Sequence, residues 1–292
     1  TPETPLDLSA LRDLQASGRL RVGTLQVAQL KLTQLRADLQ AGNGQLTLNP
    51  LALNLYQGSA SGSLQLAAAA VPRVALKQTL SGVAVGPLLQ DLMGKAQLEG
   101  RGNVQLDVST QGSTVTAMKK ALAGSARAEL QDGMVKGFNI AQTLRNAKAR
   151  LAGGGTHAGT ASAAESTDFS ALSASLRIAG GVARNEDLQL ISPLLRVGGG
   201  GDIDIGNEQL DYLVKATIVA TLQGQGGPEL QALRGQTVPV RLQGPFNAIG
   251  YSVDFAGMAR ELAKDKLDGK AEAAKTKAKE KLGEKLKGLF GK

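Results

Sequence analysis

Apolar and polar residues alternate with a period of two over most of the chain, and this pattern predicts strands with one apolar and one polar face. In the first half the apolar positions are Leu35, Ala37 and Leu39, Leu51, Leu53 and Leu55, Leu64 and Leu66, Val104, Leu106 and Val108, and Ala126, Ala128 and Leu130. In the second half they are Leu172, Ala174, Leu176 and Ile178, Leu188 and Leu190, Ile203 and Ile205, Val238, Val240 and Leu242, and Tyr251, Val253 and Phe255. The longest alternation runs from Leu210 to Leu222, about twice the usual strand length.

Short turn signals between these runs predict antiparallel pairing of neighbouring strands. They are Gly42-Asn43-Gly44, Asp132-Gly133, Gly180-Gly181 and Gly206-Asn207. Three short helices are predicted, at residues 87–93, 114–123 and 139–151. The stretch 153–166 is rich in Gly, Ala, Ser and Thr, and it predicts a mobile loop between two halves of one domain, at 19–152 and 167–255. A weak repeat supports these halves, since residues 35–44 are similar to residues 172–181.

The two ends of the chain differ from this β region. Residues 1–18 have the character of a linker, and the absence of an initial Met and of a signal-peptide pattern predicts a piece of a longer protein. From 256 to 292 the apolar spacing changes to three and four residues, which predicts a long basic amphipathic helix. The candidates for contact with an anionic membrane surface are Lys281, Lys285, Lys287, Leu286, Leu289 and Phe290. A solvated, salt-bridged surface helix is the alternative interpretation of this tail.

Composition narrows the possible functions. The chain has no Cys and a single His, His157, which argues against disulfides, thiolate catalysis and the usual metal sites. Three Tyr, five Phe and no Trp leave few rings for base stacking, so the net charge of +8 does not indicate nucleic-acid binding. Asp202, Asp204 and Asp211 are close in sequence but have no evident acid–base partner. We therefore predict a non-enzymatic protein without a metal, a cofactor or a nucleic-acid partner.

Three segments resemble the C-terminal region of the AsmA family: 132–149 (DGMVKGFNIAQTLRNAKA), 167–222, and 237–255 (TVPVRLQGPFNAIGYSVDF). The order of the segments is more specific than any one motif. The resemblance implies a Gram-negative envelope protein that is tethered to the inner membrane by an N-terminal helix, absent from this chain, and that extends into the periplasm. It also implies a long, curved β-sheet with an apolar trough, and a role in phospholipid transport and outer-membrane biogenesis.

The residues themselves leave two interpretations of the apolar face: the packed inside of a β-sandwich, or an apolar groove that a ligand fills. Three short helices cannot cover about fifteen strands, and an aliphatic wall suits acyl chains because these need no directional contacts. We therefore expect a mainly β fold, with an extended, curved, groove-like antiparallel sheet and short helices over 19–255. The candidate groove residues are Leu35, Leu39, Leu53, Leu55, Leu64, Leu66, Leu172, Leu176, Leu188, Leu190, Ile203, Ile205, Leu210, Val214, Ile218, Val238, Val240 and Leu242.

The expected partners are phospholipid, a membrane surface that the C-terminal helix contacts, and other envelope proteins. A second function stays open at this point. The protein would then be a structural or assembly factor that engages outer-membrane proteins through its β surface or edges, without carrying lipid.

Overall fold

A computed structural model describes residues 3, 5–144, 157–160, 162–219 and 235–253. In this part of the chain fourteen strands form a single antiparallel sheet, in the order β1-β2-β3-β4-β5-β6-β7-β9-β10-β11-β12-β13-β14-β8. The strands are β1 (Ala16–Val27), β2 (Leu30–Gly42), β3 (Gln45–Leu55), β4 (Gly58–Ala67), β5 (Arg73–Ala84), β6 (Leu98–Gln111), β7 (Ala123–Gly137), β8 (His157–Thr160), β9 (Ser162–Ala179), β10 (Val182–Ile191), β11 (Leu195–Asp204), β12 (Gln209–Ile218), β13 (Thr237–Pro245) and β14 (Gly250–Val253). The mainly β, antiparallel fold predicted from the alternation is confirmed.

Short helices lie between some of the strands. A single 3-10 turn spans Ser9–Leu11, α1 spans Val85–Met93, and α2 spans Val115–Ala121. The side chain of Thr114 caps α2 by accepting a hydrogen bond from the backbone N–H of Ala117 at 3.2 Å. The third predicted helix is present at 140–144, and the rest of it lies outside the described residues. Among the helices of the described segments, none has the length and hydropathy needed to cross a membrane.

Several local predictions differ from the structure. The strand predicted for Leu210 to Leu222 ends at Ile218, and residues 220–222 lie outside the described residues. The stretch 153–166, predicted as a mobile loop, contains β8 and the first residues of β9. Asp132-Gly133 does not make a turn: β7 continues through it, with Asp132 at a φ of 48° and a register shift opposite β6, which is a β-bulge. The linker predicted for 1–18 ends earlier, because β1 begins at Ala16. The helix predicted for 256–292 lies outside the described residues.

The strand register places the apolar positions on one face of the sheet, because directly paired residues of an antiparallel sheet point to the same side. One row of such pairs runs Leu130, Leu172, Leu190, Val197, Ala216 and Val238, from β7 to β13. Another runs Leu48, Leu64, Leu76 and Val108, from β3 to β6. The apolar face is therefore continuous across the two predicted halves, which β7 and β9 join by direct pairing.

The opposite face is polar and carries ion pairs between neighbouring strands. These pairs include Arg19–Asp38, Lys77–Asp107, Arg184–Asp202 and Arg241–Asp211. All these side chains are substantially exposed, so each pair contributes about 0–1 kcal/mol to folding. This face keeps one side of the sheet hydrated, and the apolar face carries the hydrophobic clusters.

The second half of the sheet curls back on itself. Strand β8 is the outer neighbour of β14, six strands away from β9, yet only residue 161 separates β8 from β9 in the chain. The Cα atoms of Thr160 and Ser162 are therefore within about 7.6 Å of each other. The β14–β8 edge must return to the start of β9, and the apolar face lies on the inside of this curl, where Ala216, Ile218 and Val238 are 0% exposed.

Candidate functional site

The structure brings the candidate groove residues to one surface. All of them except Ile205 lie on the apolar face by strand register, from Leu35 on β2 to Leu242 on β13. Ile205 follows the end of β11 and lies in the turn before β12, where its N–H donates to the carbonyl of Gly181. Whether a lipid contacts any of these residues stays a prediction.

Burial divides the candidates into two groups. The buried group is Leu35, Leu172, Leu190, Val214, Ile218, Val238 and Val240. Most of its members belong to the large cluster on β7 to β14, inside the curl, and Leu35 belongs to a smaller cluster on β2 and β3. A ligand would have to separate packed side chains to reach them, so they are core residues in this structure.

The half-buried group is Leu39, Leu53, Leu55, Leu64, Leu66, Leu176, Leu188, Ile203, Ile205, Leu210 and Leu242. On the first half of the sheet, α1 covers one end of the face, where its Leu88 packs against the cluster of Ala60, Leu80 and Val83. Away from α1 the face is more accessible. We call this region the open patch; its residues, all half-buried, are Leu39, Leu46, Leu64, Leu66, Val74, Leu76 and Val108.

Polar side chains interrupt the apolar face at a few positions, and one group spans β10 to β12. Tyr212 is 8% exposed, and its hydroxyl donates to Oδ1 of Asn185, which is 2% exposed. The Asn185 amide donates in turn to the Ser175 carbonyl at 2.7 Å and to Asp187 Oδ1 at 2.8 Å. Burial raises the pKa of Tyr212, and the nearby charge of Asp187 raises it further, so this phenol stays neutral as a donor.

Four consecutive glycines in β11, residues 198–201, form a glycine run that makes room for the Tyr212 ring. A Cβ on Gly199 would lie 3.2 Å from Cε1 of Tyr212 and 2.6 Å from the carbonyl oxygen of Leu213. Only a residue without a side chain lets the ring cross β11 and reach Asn185. These glycines lie within strand β11 and not in a turn.

A second polar residue on the apolar face is Gln78 of β5, which is 5% exposed. By register it lies between Gly62 on β4 and Leu106 on β6. Its Nε2 donates to the carbonyl of Ser63 at 3.4 Å, and its Oε1 is buried without a hydrogen-bond partner among the described residues. We did not single out Gln78 or Asn185 from the sequence. The signal for Gln78 was present, since it takes an apolar position between Leu76 and Leu80.

A concavity of about 920 Å³ lies where α1 meets the β3–β4 turn. Its lining includes Lys31, Arg101, Tyr56 and Asp91. The Tyr56 hydroxyl donates to Asp91 at 2.7 Å, and burial together with this hydrogen bond raises the pKa of Tyr56. Arg101 donates to the carbonyls of Gly82 and Gln57. The Tyr56 contact fastens the β3–β4 turn to α1, and the Arg101 contact with Gln57 fastens it to β6.

The membrane-surface candidates Lys281, Lys285, Lys287, Leu286, Leu289 and Phe290 lie outside the described residues. The side chain of His157 is also outside them, although its backbone belongs to β8.

Comparison with known proteins gives a consistent result. Residues 2–188 match the model of the AsmA family. The chain is 24% identical over 242 residues to Protein AsmA of Escherichia coli (strain K12). This alignment covers 81% of the present chain and 35% of the E. coli protein. The chain thus spans about a third of the length of this curated relative. No solved structure matches the chain. The family match ends at residue 188, within β10. It includes the segment 132–149 and the first part of 167–222, and it does not include the rest of that segment or the segment 237–255.

Proposed function

Because this chain belongs to the AsmA family, we propose that it acts in the Gram-negative cell envelope and binds phospholipid acyl chains on its apolar sheet face. It would be the periplasmic part of a longer protein that is tethered to the inner membrane, supporting phospholipid transport and outer-membrane biogenesis without catalysis. The envelope role is inferred from family membership. The lipid role is supported by the open patch, an aliphatic surface continuous with the core on one face of the sheet.

The energetics of such a surface suit a carrier. Each methylene group that moves from water onto an aliphatic surface gains about 0.8 kcal/mol when it is fully buried. Neighbouring rows of the open patch offer similar Leu and Val side chains, so an acyl chain that slides from one row to the next changes this free energy little. The buried residues inside the curl hold the sheet together, and they are not part of the proposed path.

The proposal is tested on the open patch, since Ile218 and its buried neighbours would unfold the sheet if charged. Photo-reactive residues at Leu64 and Leu76 on the apolar face are compared with Gln65 and Lys77, their sequence neighbours on the polar face. We expect phospholipid adducts only at Leu64 and Leu76, identified by mass spectrometry of the full-length protein crosslinked in cells.

A charge on the open patch gives the second arm of the test. Leu64→Asp should abolish lipid copurification while the far-ultraviolet circular dichroism is retained, and the matched variant Gln65→Asp should leave copurification unchanged. Polypeptide adducts alone at Leu64, together with no lipid in the purified protein, would overturn the proposal.

That outcome would favour a second function, an assembly factor that engages envelope proteins through a sheet edge. Strand β1 forms one edge of the sheet in the described segments, has no proline, and is mostly exposed over its 12 residues. Arg21 on β1 lies directly opposite Arg36 on β2, an unfavourable pairing of like charges. A partner strand with a carboxylate beside Arg21 would relieve this repulsion and extend the sheet.

A further inference from the structure

We infer that Gln78 is a hydrogen-bonding subsite within the apolar face, and that it accepts a hydrogen bond from a free hydroxyl on the glycerol unit of a bound lipid. This inference rests on the proposed function and names a chemical feature of the lipid that it would recognise.

The first argument is the position of Gln78. It continues the face of Leu76 and Leu80 on β5, and its cross-strand neighbours are Gly62 and Leu106. Leu76 and its neighbour Leu64 belong to the open patch, whereas Leu80 belongs to the cluster that α1 covers. Gln78 therefore lies at the boundary between the accessible and the covered parts of the face, and a lipid hydroxyl reaches its buried Oε1 when the side chains at the edge of the open patch move apart.

The second argument is the unpartnered oxygen. The Nε2 of Gln78 donates to the Ser63 carbonyl, which fixes the amide, and Oε1 then has no donor within the described segments. Other polar groups on this face are satisfied: the hydroxyl of Thr110 donates to the Met118 carbonyl, and Tyr212 donates to Asn185. A buried polar atom without a partner destabilises a protein, so a Leu here would be the better residue for folding alone.

The third argument is the chemistry of the missing donor. An amide oxygen accepts hydrogen bonds, and the ester groups of a fully acylated glycerolipid offer acceptors only. A glycerol carbon that carries a free hydroxyl, as in a lysophospholipid or a diacylglycerol, supplies a neutral donor next to the acyl chain. A neutral hydroxyl is cheaper to bury beside Leu76 and Leu106 than an ammonium group.

The test uses two lipids that differ by one methyl group: 1-oleoyl-lysophosphatidylcholine and its 2-O-methyl ether. Binding below the critical micelle concentration is measured by titration calorimetry on the wild type, on Gln78→Leu, and on Gln105→Leu. Gln105 is an exposed residue on the polar face of β6, so the last variant is the matched control.

We expect the wild type and Gln105→Leu to bind the hydroxyl lipid about five- to tenfold more tightly than the ether. Gln78→Leu should bind the two lipids equally, and it should unfold at a higher urea concentration than the wild type, because it no longer buries an unpaired oxygen. Equal binding of both lipids by the wild type, or a preference that survives in Gln78→Leu, overturns the subsite and leaves the proposed function standing. Absence of binding to either lipid also overturns the subsite, and the proposed function is then decided by the lipid crosslinks at Leu64 and Leu76.

Discussion

The hydrogen bond between Tyr212 and Asn185 offers the sharpest test of how the apolar face is held together. In Tyr212→Phe the ring keeps its place over Gly199, but Asn185 Oδ1 loses its donor. The Asn185 amide is fixed by the Ser175 carbonyl and by Asp187, so the side chain cannot turn its oxygen to another group without breaking those bonds. At 2% exposure, water cannot replace the donor either.

The expected loss of unfolding free energy is therefore that of a buried, unsatisfied acceptor, about 1–3 kcal/mol. It is measured by urea unfolding followed by circular dichroism. The matched control is Asn54→Ala, which removes an exposed hydrogen bond to Gln34 of 3.1 Å, and it should change stability by no more than about 0.5 kcal/mol.

A double-mutant cycle separates the hydrogen bond from the packing. The double variant Tyr212→Phe with Asn185→Leu should lose less stability than the sum of the single losses, with a coupling energy of about 0.5–3 kcal/mol. Additive losses, or a Tyr212→Phe variant as stable as the wild type, would refute the argument that this bond fixes β10 and β12 across the glycine run.

Two further predictions concern the same region. Gly199→Ala should destabilise the protein by about 1–3 kcal/mol, because its Cβ would lie 2.6 Å from the Leu213 carbonyl oxygen. The control is Gly198→Ala, whose Cβ would have its nearest neighbour 3.6 Å away and which should be nearly neutral in the same urea assay. Equal effects of the two substitutions would contradict the close approach at Gly199. The hydroxyl and backbone N–H of Ser175 donate to Asp187 and lower the pKa of its carboxyl group. The ionised carboxylate therefore stabilises the fold at pH values above its unfolded pKa. This contribution disappears as the pH falls through the lower pKa of the folded state. The urea midpoint should therefore drop more steeply below pH 4 in the wild type than in Asp187→Asn, and parallel pH profiles would count against this assignment.

The fit between sequence and structure varies along the chain. Where alternation was strong, as in Leu172 to Ile178, the strand and its apolar face were predicted correctly, because side-chain direction in a strand has a period of two. The strand predicted for Leu210 to Leu222 is present as β12 only as far as Ile218. Where the signal was composition alone, as in 153–166, the prediction of a loop differed from the structure. Small residues there pair with β14 and β7, and those contacts are between residues distant in sequence.

Local pattern by itself determined the class of fold, the antiparallel order of most strands, and which residues share the apolar face. It did so because turn chemistry and strand periodicity are properties of short segments. Only the tertiary structure decided which part of that face is accessible. The path of β8 back to β14 curls the second half and encloses Ile218 and Val238, while Leu64 and Leu76 remain half-buried on the first half. Burial depends on what lies across the face, and no pattern within a single strand records that.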